Sequence, residues 1–325
     1  MSDRRLMATS EGSRPEAFGW LEWGMLVGVA SIWGSSYLWI ELALRGLHPG
    51  VVSTGRVTLG LVAIWLVPRA RAPIDRADRG RLLVLGVGWF GLPMVTFPIA
   101  QELGVASSVV GMLNGATPLM TMLFASLLLR RRPGSRQLVG VAIGFVGLVA
   151  VSWPQLAAAD AASAGVALIL ATMACNSLLA NLLVPLQQHY GALPVLRRTL
   201  SVALVFTLPF GLVGLRSSTP ELLSLLAMLP LGLLSTGVAF AAWTTLIGRT
   251  GASRGSVVSY LVPVVAIVLG VLVLSETVAA VSLVGTAAVL VGAWLVSGRE
   301  RGTPVGATTA YPGPSAEADG SEAPC

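Results

Sequence analysis

Charge is scarce in this chain. Of its 325 residues only 11% are charged, while 54% are hydrophobic; a soluble domain carries about 25% charge. A water-solvated fold of this length would lack the polar residues to cover its apolar surface, which excludes a large soluble enzyme. Disordered, fibrous and disulfide-stapled classes are excluded by the same composition. Lysine is absent altogether: all 21 basic residues are arginine. Without lysine there is no Walker-A phosphate loop, no Schiff base with retinal or pyridoxal, and no lysine nucleophile. The two histidines, His48 and His189, fall between apolar segments and form neither a metal site nor a buried triad. Cysteine is nearly missing too. Cys175 lies in an apolar run and Cys325 is the last residue, so neither a disulfide nor a CxxC motif is expected. The terminal cysteine also lacks the three further residues of a prenylation box. No cofactor and no metal are expected.

What the chain has in abundance is apolar length, with a mean hydropathy of +0.80. Ten apolar runs approach the ~20 residues that a membrane helix needs. They lie at 23–44, 51–67, 82–100, 106–129, 138–153, 164–185, 195–215, 222–247, 256–274 and 278–296. The runs are continuous rather than alternating, which favours helices over a β-barrel. Glycine and proline recur inside them, as membrane helices tolerate.

Arginine placement sets the expected topology. With ten spans and both termini cytoplasmic, eighteen of the 21 arginines fall on the inner side, Arg45 and Arg216 on the outer side, and Arg56 within the second span. Such a split follows the positive-inside rule and turns the net charge of +6 into a statement about orientation, with anionic membrane lipid as the counter-charge. Nucleic acid drops out as a partner. Trp20, Trp23, Trp65 and Trp294 fall at the inner boundary and Trp153 at the outer one, as an interfacial aromatic belt. The first run reads as an uncleaved signal-anchor.

The chain also matches itself. Pro118 and Pro263, Gly140 and Gly285, and Gly147 and Gly292 are each 145 residues apart. Gly24 with Gly165, Gly50 with Gly191, and Arg56 with Arg197 share an offset of 141. Five spans per copy is an odd number, so the second copy enters the membrane from the opposite side. The expectation is an all-α integral membrane protein of ten transmembrane helices in two inverted five-helix repeats, an architecture used by secondary transporters. The segments are then a cytoplasmic N-terminal segment at 1–22, a first repeat at 23–153, an external linker at 154–163, a second repeat at 164–297 and a disordered cytoplasmic tail at 298–325.

The residues Trp33-Gly-Ser-Ser-Tyr37, Arg56, the stretch from Gly251-Ala-Ser through Pro263 to Ser275-Glu276, and Gly285 and Gly292 resemble the EamA-like branch of the drug/metabolite transporter superfamily. The likeness covers nearly the whole chain. It implies ten helices in two EamA domains, a bacterial inner membrane, and export or exchange of small metabolites. The family often has an acid after its fourth helix, matching Glu276 in the second half, where this chain has Arg131.

Arg56 is the sharpest candidate. Arginine at mid-helix costs about 2.5–3.5 kcal/mol on insertion scales. Two readings stay open: a carboxylate clamp facing a watery cavity, or a structural, snorkelling arginine. Polar and aromatic residues deep in the runs complete the expected substrate pathway: Trp33, Ser36, Tyr37, Trp89, Asn114, Asn176, Trp243, Ser259 and Tyr260. Pro118 and Pro263, being repeat-related, are the hinge candidates. Glu41, Glu102 and Glu276 read as solvated helix-end acids, with proton coupling at Glu41 or Glu102 as the alternative. Together these point to a secondary transporter of small metabolites, with amino acids, their derivatives and drug-like compounds as cargo and a monomer sufficient. The alternative is an integral-membrane enzyme acting on lipid or prenyl substrates.

Overall fold

A computed structural model describes residues 19–128, 134–158, 160–250 and 258–297. Most of the expected terminal segments, the Arg131 position and the Gly251-Ala-Ser stretch lie outside the described residues, as does Arg254. All regular structure among the described residues is helical.

Among the described residues, besides two short 3-10 turns between α2 and α3, eleven helices follow one another: α1 (Trp20–Leu44), α2 (Pro49–Trp65), α3, α4 (Ser107–Asn114), α5 (Thr117–Leu128), α6 (Ser135–Ala158), α7 (Ala161–Tyr190), α8 (Ala192–Leu215), α9, α10 (Val258–Leu274) and α11 (Ala280–Ser297). Two of them are composite. In α3, α-helical stretches Arg79–Val84 and Leu92–Glu102 flank a π turn at Leu85–Gly91; in α9, Leu222–Leu229 and Ala239–Thr250 flank a π turn at Pro230–Val238. Among the described residues six helices are long and apolar enough to cross a membrane by length and composition, and the chain is a multi-pass membrane protein. The apolar runs expected near 51–67 and 256–274 fall in α2 and α10, each 17 residues long. The run at 106–129 is broken into α4 and α5 at Gly115 and Ala116.

The sequence explains that break. Pro118 has no N–H to donate to the Asn114 carbonyl. The Thr117 hydroxyl takes over, donating to the Asn114 carbonyl at 2.7 Å and to Asn114 Oδ1 at 3.0 Å. Pro263 lies against the same spot: a Cβ added at Gly115 would sit 2.8 Å from Pro263 Cγ.

Lipid offers these helices no hydrophobic drive to associate, so small residues and polar contacts decide how they pack. The α6–α11 pair is closest. A Cβ at Gly140 would meet the Gly292 carbonyl at 2.8 Å, and one at Gly147 the Gly285 carbonyl at 2.5 Å. Elsewhere α2 packs on α8 and on the π turn of α9, α8 on the π turn of α3, α1 on α9 and α10, and α7 on α3 and α5. Large apolar side chains such as Leu222, Leu272 and Val205 cover the outside, each more than 70% exposed.

One end of the bundle gathers Arg69, Arg71, Arg76, Arg79, Arg81, Arg197 and Arg198 around the α2–α3 connection and the start of α8. Arg71 stacks over the exposed Trp65 at 4.6 Å, and Arg136 over Trp294 at 5.1 Å. The acids of this end are already engaged. Asp78 pairs with Arg81 at 3.1 Å, and the Tyr190 hydroxyl donates to Asp78 at 2.7 Å and to Asp75 at 3.1 Å. The sequence suggests only a charged linker here; the structure shows it tied to the end of α7.

Candidate functional site

The site begins with Arg56, whose position in α2 leaves it 4% exposed. Its Nε donates to Thr236 Oγ1 at 3.3 Å and its Nη2 to Ser235 Oγ at 3.5 Å. Charge-assisted bonds of this kind run nearer 2.7–2.9 Å, so both are long. A guanidinium carries five N–H donors, and most of these have no partner among the described residues. None of those residues offers Arg56 a carboxylate.

Its neighbours exist because of a departure from regular helix. Ser235 and Thr236 belong to the π turn of α9, and π turns occur mostly as single-turn bulges, frequently at functional sites. The Thr236 hydroxyl donates back to the Leu231 carbonyl five residues earlier, at 3.1 Å. Gly60 lets α2 approach this turn, since a Cβ there would lie 2.5 Å from Thr236 Cγ2.

Aromatic rings close the site on the next side. Trp33 of α1 meets Phe240 with centroids 4.9 Å apart and Trp243 at 5.6 Å. From the π turn of α3, Trp89 and Phe90 converge on the same Phe240 at 5.8 and 4.8 Å. The Trp33 indole N–H donates to the Ser235 carbonyl at 3.2 Å, and Asn176 Nδ2 donates to the Trp89 carbonyl at 2.9 Å. Each π turn thus gives one main-chain oxygen to a side chain from a distant helix. Tyr37, 3% exposed, lies within electrostatic reach of Arg56 and beside Asn114. Gln101 Nε2 fixes this region by donating to the Tyr37 carbonyl at 3.0 Å and to Glu41 at 3.4 Å.

The structure therefore groups Trp33, Tyr37, Arg56, Trp89, Asn114, Asn176 and Trp243. Ser36 turns its hydroxyl back onto the Trp33 carbonyl of its own helix, at 2.5 Å. Tyr260 donates to the Ala293 carbonyl at 2.9 Å and so ties α10 to α11, and Ser259 is half-buried with no hydrogen bond to the group. Pro263 is buried within α10, and Pro118 sits half-buried in the first turn of α5. Ser235, Thr236 and Phe240 are missing from the sequence reading, because hydroxyls and phenylalanine are common in apolar helices.

Glu276 differs from its expected role. It is no solvated helix-end acid: its carboxylate accepts from Ser107 N at 2.9 Å, Ser107 Oγ at 2.7 Å and Ser108 N at 3.0 Å. It caps the N-terminus of α4, where otherwise unpaired amides and the helix dipole favour an anion.

Arranged this way, an unpaired cation beside an aromatic wall suits a small molecule with an anionic head and an apolar body. The comparisons agree in kind. A solved crystal structure superposes on 83% of this chain and 94% of its own with a TM-score of 0.57 at 18% identity, which shows the fold. An "uncharacterized transporter" of Archaeoglobus fulgidus is 24% identical over 85% of this chain and 98% of its own. A "probable amino-acid metabolite efflux pump" of Salmonella typhimurium is 25% identical over 82% of this chain and 91% of its own. A "probable terminal-alkyne amino-acid exporter" of Streptantibioticus cattleyicolor is 25% identical over 86% of this chain and 94% of its own. The family model described as the EamA-like transporter family matches residues 21–153 and again 163–298, and the chain belongs to that family.

Proposed function

We propose that this protein exports small amino-acid-type metabolites by alternating access, with Arg56 holding the substrate carboxylate. One observation carries the reading: a buried guanidinium with two long hydroxyl contacts and no acid among the described residues, whose partner Ser235 is also bonded to Trp33 of the aromatic cluster. A bidentate carboxylate would satisfy donors that the protein leaves open. Trp33, Trp89 and Trp243 then face the apolar part of the substrate, and Tyr37, Asn114 and Asn176 its polar edge. The names of the Salmonella and Streptantibioticus relatives support the substrate class.

The chain is read as ten helices in two inverted five-helix repeats, 23–153 and 164–297, with the α4–α5 pair as one span and Pro118 and Pro263 as hinges. In support, the Trp33–Ser235 and Asn176–Trp89 bonds exchange under that repeat: each joins the first helix of one repeat to the π turn in the third helix of the other. Two halves rocking about a shared midplane site are the usual mechanism of such folds. The protein works as a monomer in a bacterial inner membrane, with both termini cytoplasmic. Nothing among the relatives or the described residues favours the membrane-enzyme alternative.

The test is counterflow in proteoliposomes with a panel of labelled amino acids and derivatives, run on the wild type, Arg56→Ala and Arg56→Lys. Removing a charge-assisted hydrogen bond costs about 1.5–3 kcal/mol, so Arg56→Ala should weaken apparent affinity roughly 10- to 100-fold at normal expression. Wild-type counterflow by Arg56→Ala would sink the clamp, and no counterflow by the wild type with any member of the panel would sink the export reading.

A further inference from the structure

At the arginine-rich end of the bundle, Arg79 at the start of α3 and Arg198 near the start of α8 flank a groove of about 470 Å³. Its walls are mostly apolar, with Leu82, Leu83 and Val202 beside the single hydroxyl of Ser201, and they lie between the two helices rather than in the substrate site. Gly80, exposed, also lines it, and an added Cβ there would meet no atom within 4 Å. Leu83 is 57% exposed, so the groove continues onto the lipid-facing surface.

Charge decides what fits there. Asp78 pairs with Arg81, Asp75 and Asp78 both accept from the neutral Tyr190 hydroxyl, and neither acid pairs with Arg79 or Arg198. Arg71 is occupied by the Trp65 carbonyl and ring, and Arg197 donates to the Ala70 carbonyl at 2.8 Å. Arg79 and Arg198 have neither an acid nor a hydrogen-bond acceptor among the described residues. Two unmatched guanidinium groups above an apolar slot at a membrane boundary match one chemistry, a phosphodiester joined to an acyl chain.

We infer that the groove binds one anionic phospholipid, its phosphate between Arg79 and Arg198 and an acyl chain along Leu83 and Val202. The lipid fills a space between α3 and α8 and is a structural ligand distinct from the cargo. This inference stands independently of the Arg56 reading, because no residue is shared between the two sites.

Native mass spectrometry of the full chain in detergent tests it, with phosphatidylglycerol or phosphatidylcholine of identical chains added at matched concentrations. The expected result is one phosphatidylglycerol retained in preference to phosphatidylcholine. Two lost surface charges should weaken retention roughly 30-fold in Arg79→Gln/Arg198→Gln. Arg79→Lys/Arg198→Lys should recover most of it, and Gly80→Leu should lower it by occupying the open space beside Gly80. Arg45→Gln/Arg216→Gln, at the opposite end, should leave it unchanged. Equal retention of the two lipids, full retention by the double glutamine variant or by Gly80→Leu, or displacement by equimolar inorganic phosphate would each overturn the assignment.

Discussion

The indole of Trp33 and the main-chain carbonyl of Ser235 are joined by a 3.2 Å hydrogen bond across 202 residues of chain. In a regular helix that oxygen would be committed within its own helix; the π turn makes it available to a partner. Trp33→Phe removes the donor and also trims the indole to a smaller ring. A typical net hydrogen bond contributes about 0.5–1.5 kcal/mol, so this variant should unfold earlier in a denaturant titration by at least that amount. Asn176→Leu should behave alike at the Trp89 carbonyl. Trp33 and Trp89 both pack on Phe240, so the two effects should couple and the double variant should depart from the sum of the singles. A loss equal to that sum would show that the two π turns act independently.

The glycine contacts between α6 and α11 are backbone against backbone. Gly292→Ala places its Cβ 2.5 Å from the Gly140 carbonyl and 2.6 Å from the Gly144 nitrogen. Overpacking of this kind costs typically about 1–3 kcal/mol, and here no flexible side chain can yield. Gly24→Ala and Gly28→Ala, whose surroundings are open to 4 Å, should instead be neutral or stabilising by up to about 1 kcal/mol through helix propensity. Thermal denaturation of the three variants in one detergent separates these outcomes, and equal behaviour would refute the packing argument.

Glu276→Ala should strip the α4 N-terminus of its acceptor and leave the Ser107 and Ser108 amides unpaired. Orphaned buried donors cost about 1–3 kcal/mol. Glu276→Gln keeps one oxygen and should lose less. The amides of residues 107 and 108 should exchange hydrogen faster in both variants, with the larger acceleration in the alanine variant. Unaltered exchange would mean that the cap contributes nothing.

Hydrogen bonding to Asp78, then burial and the bond to Asp75, push the Tyr190 phenol from 10.0 up to about 12. A raised folded value stabilises fully below the unfolded pKa and is lost as pH climbs through the folded one. The stability gap between the wild type and Tyr190→Phe should therefore be flat from pH 6 to 9, begin to narrow above about 10 and vanish beyond about 12. A gap that changes between pH 6 and 9 would contradict the assignment.

Much of the candidate cluster was legible because lipid makes certain residues expensive. Arg56, Trp33, Trp89 and Asn176 stand out by type and depth alone, and the structure groups them. Their partners do not stand out. Ser235, Thr236 and Phe240 are unremarked in an apolar helix, and the contacts to Arg56 span 179 and 180 residues. The π turns were hidden for a related reason: a helix that is apolar all round has no polar face from which a shift in period can be read. Glu276 looked solvated because its place near a helix end was visible and the α4 terminus beneath it was not. The repeat spacing found the glycines of α6 and α11, though not that they touch.

That last contact has an evolutionary consequence. Under the two-repeat reading, Gly140 with Gly285 and Gly147 with Gly292 are copies of the same two ancestral positions, and each copy now meets the other's partner. A five-helix ancestor assembling as an antiparallel pair would have had a self-complementary seam, where every substitution counts twice. Fusion into one chain lifts that constraint. Positions away from the seam are then free to take up different settings, as Arg56, buried in the interior, and Arg197, bonded to the Ala70 carbonyl at the arginine-rich end, have done.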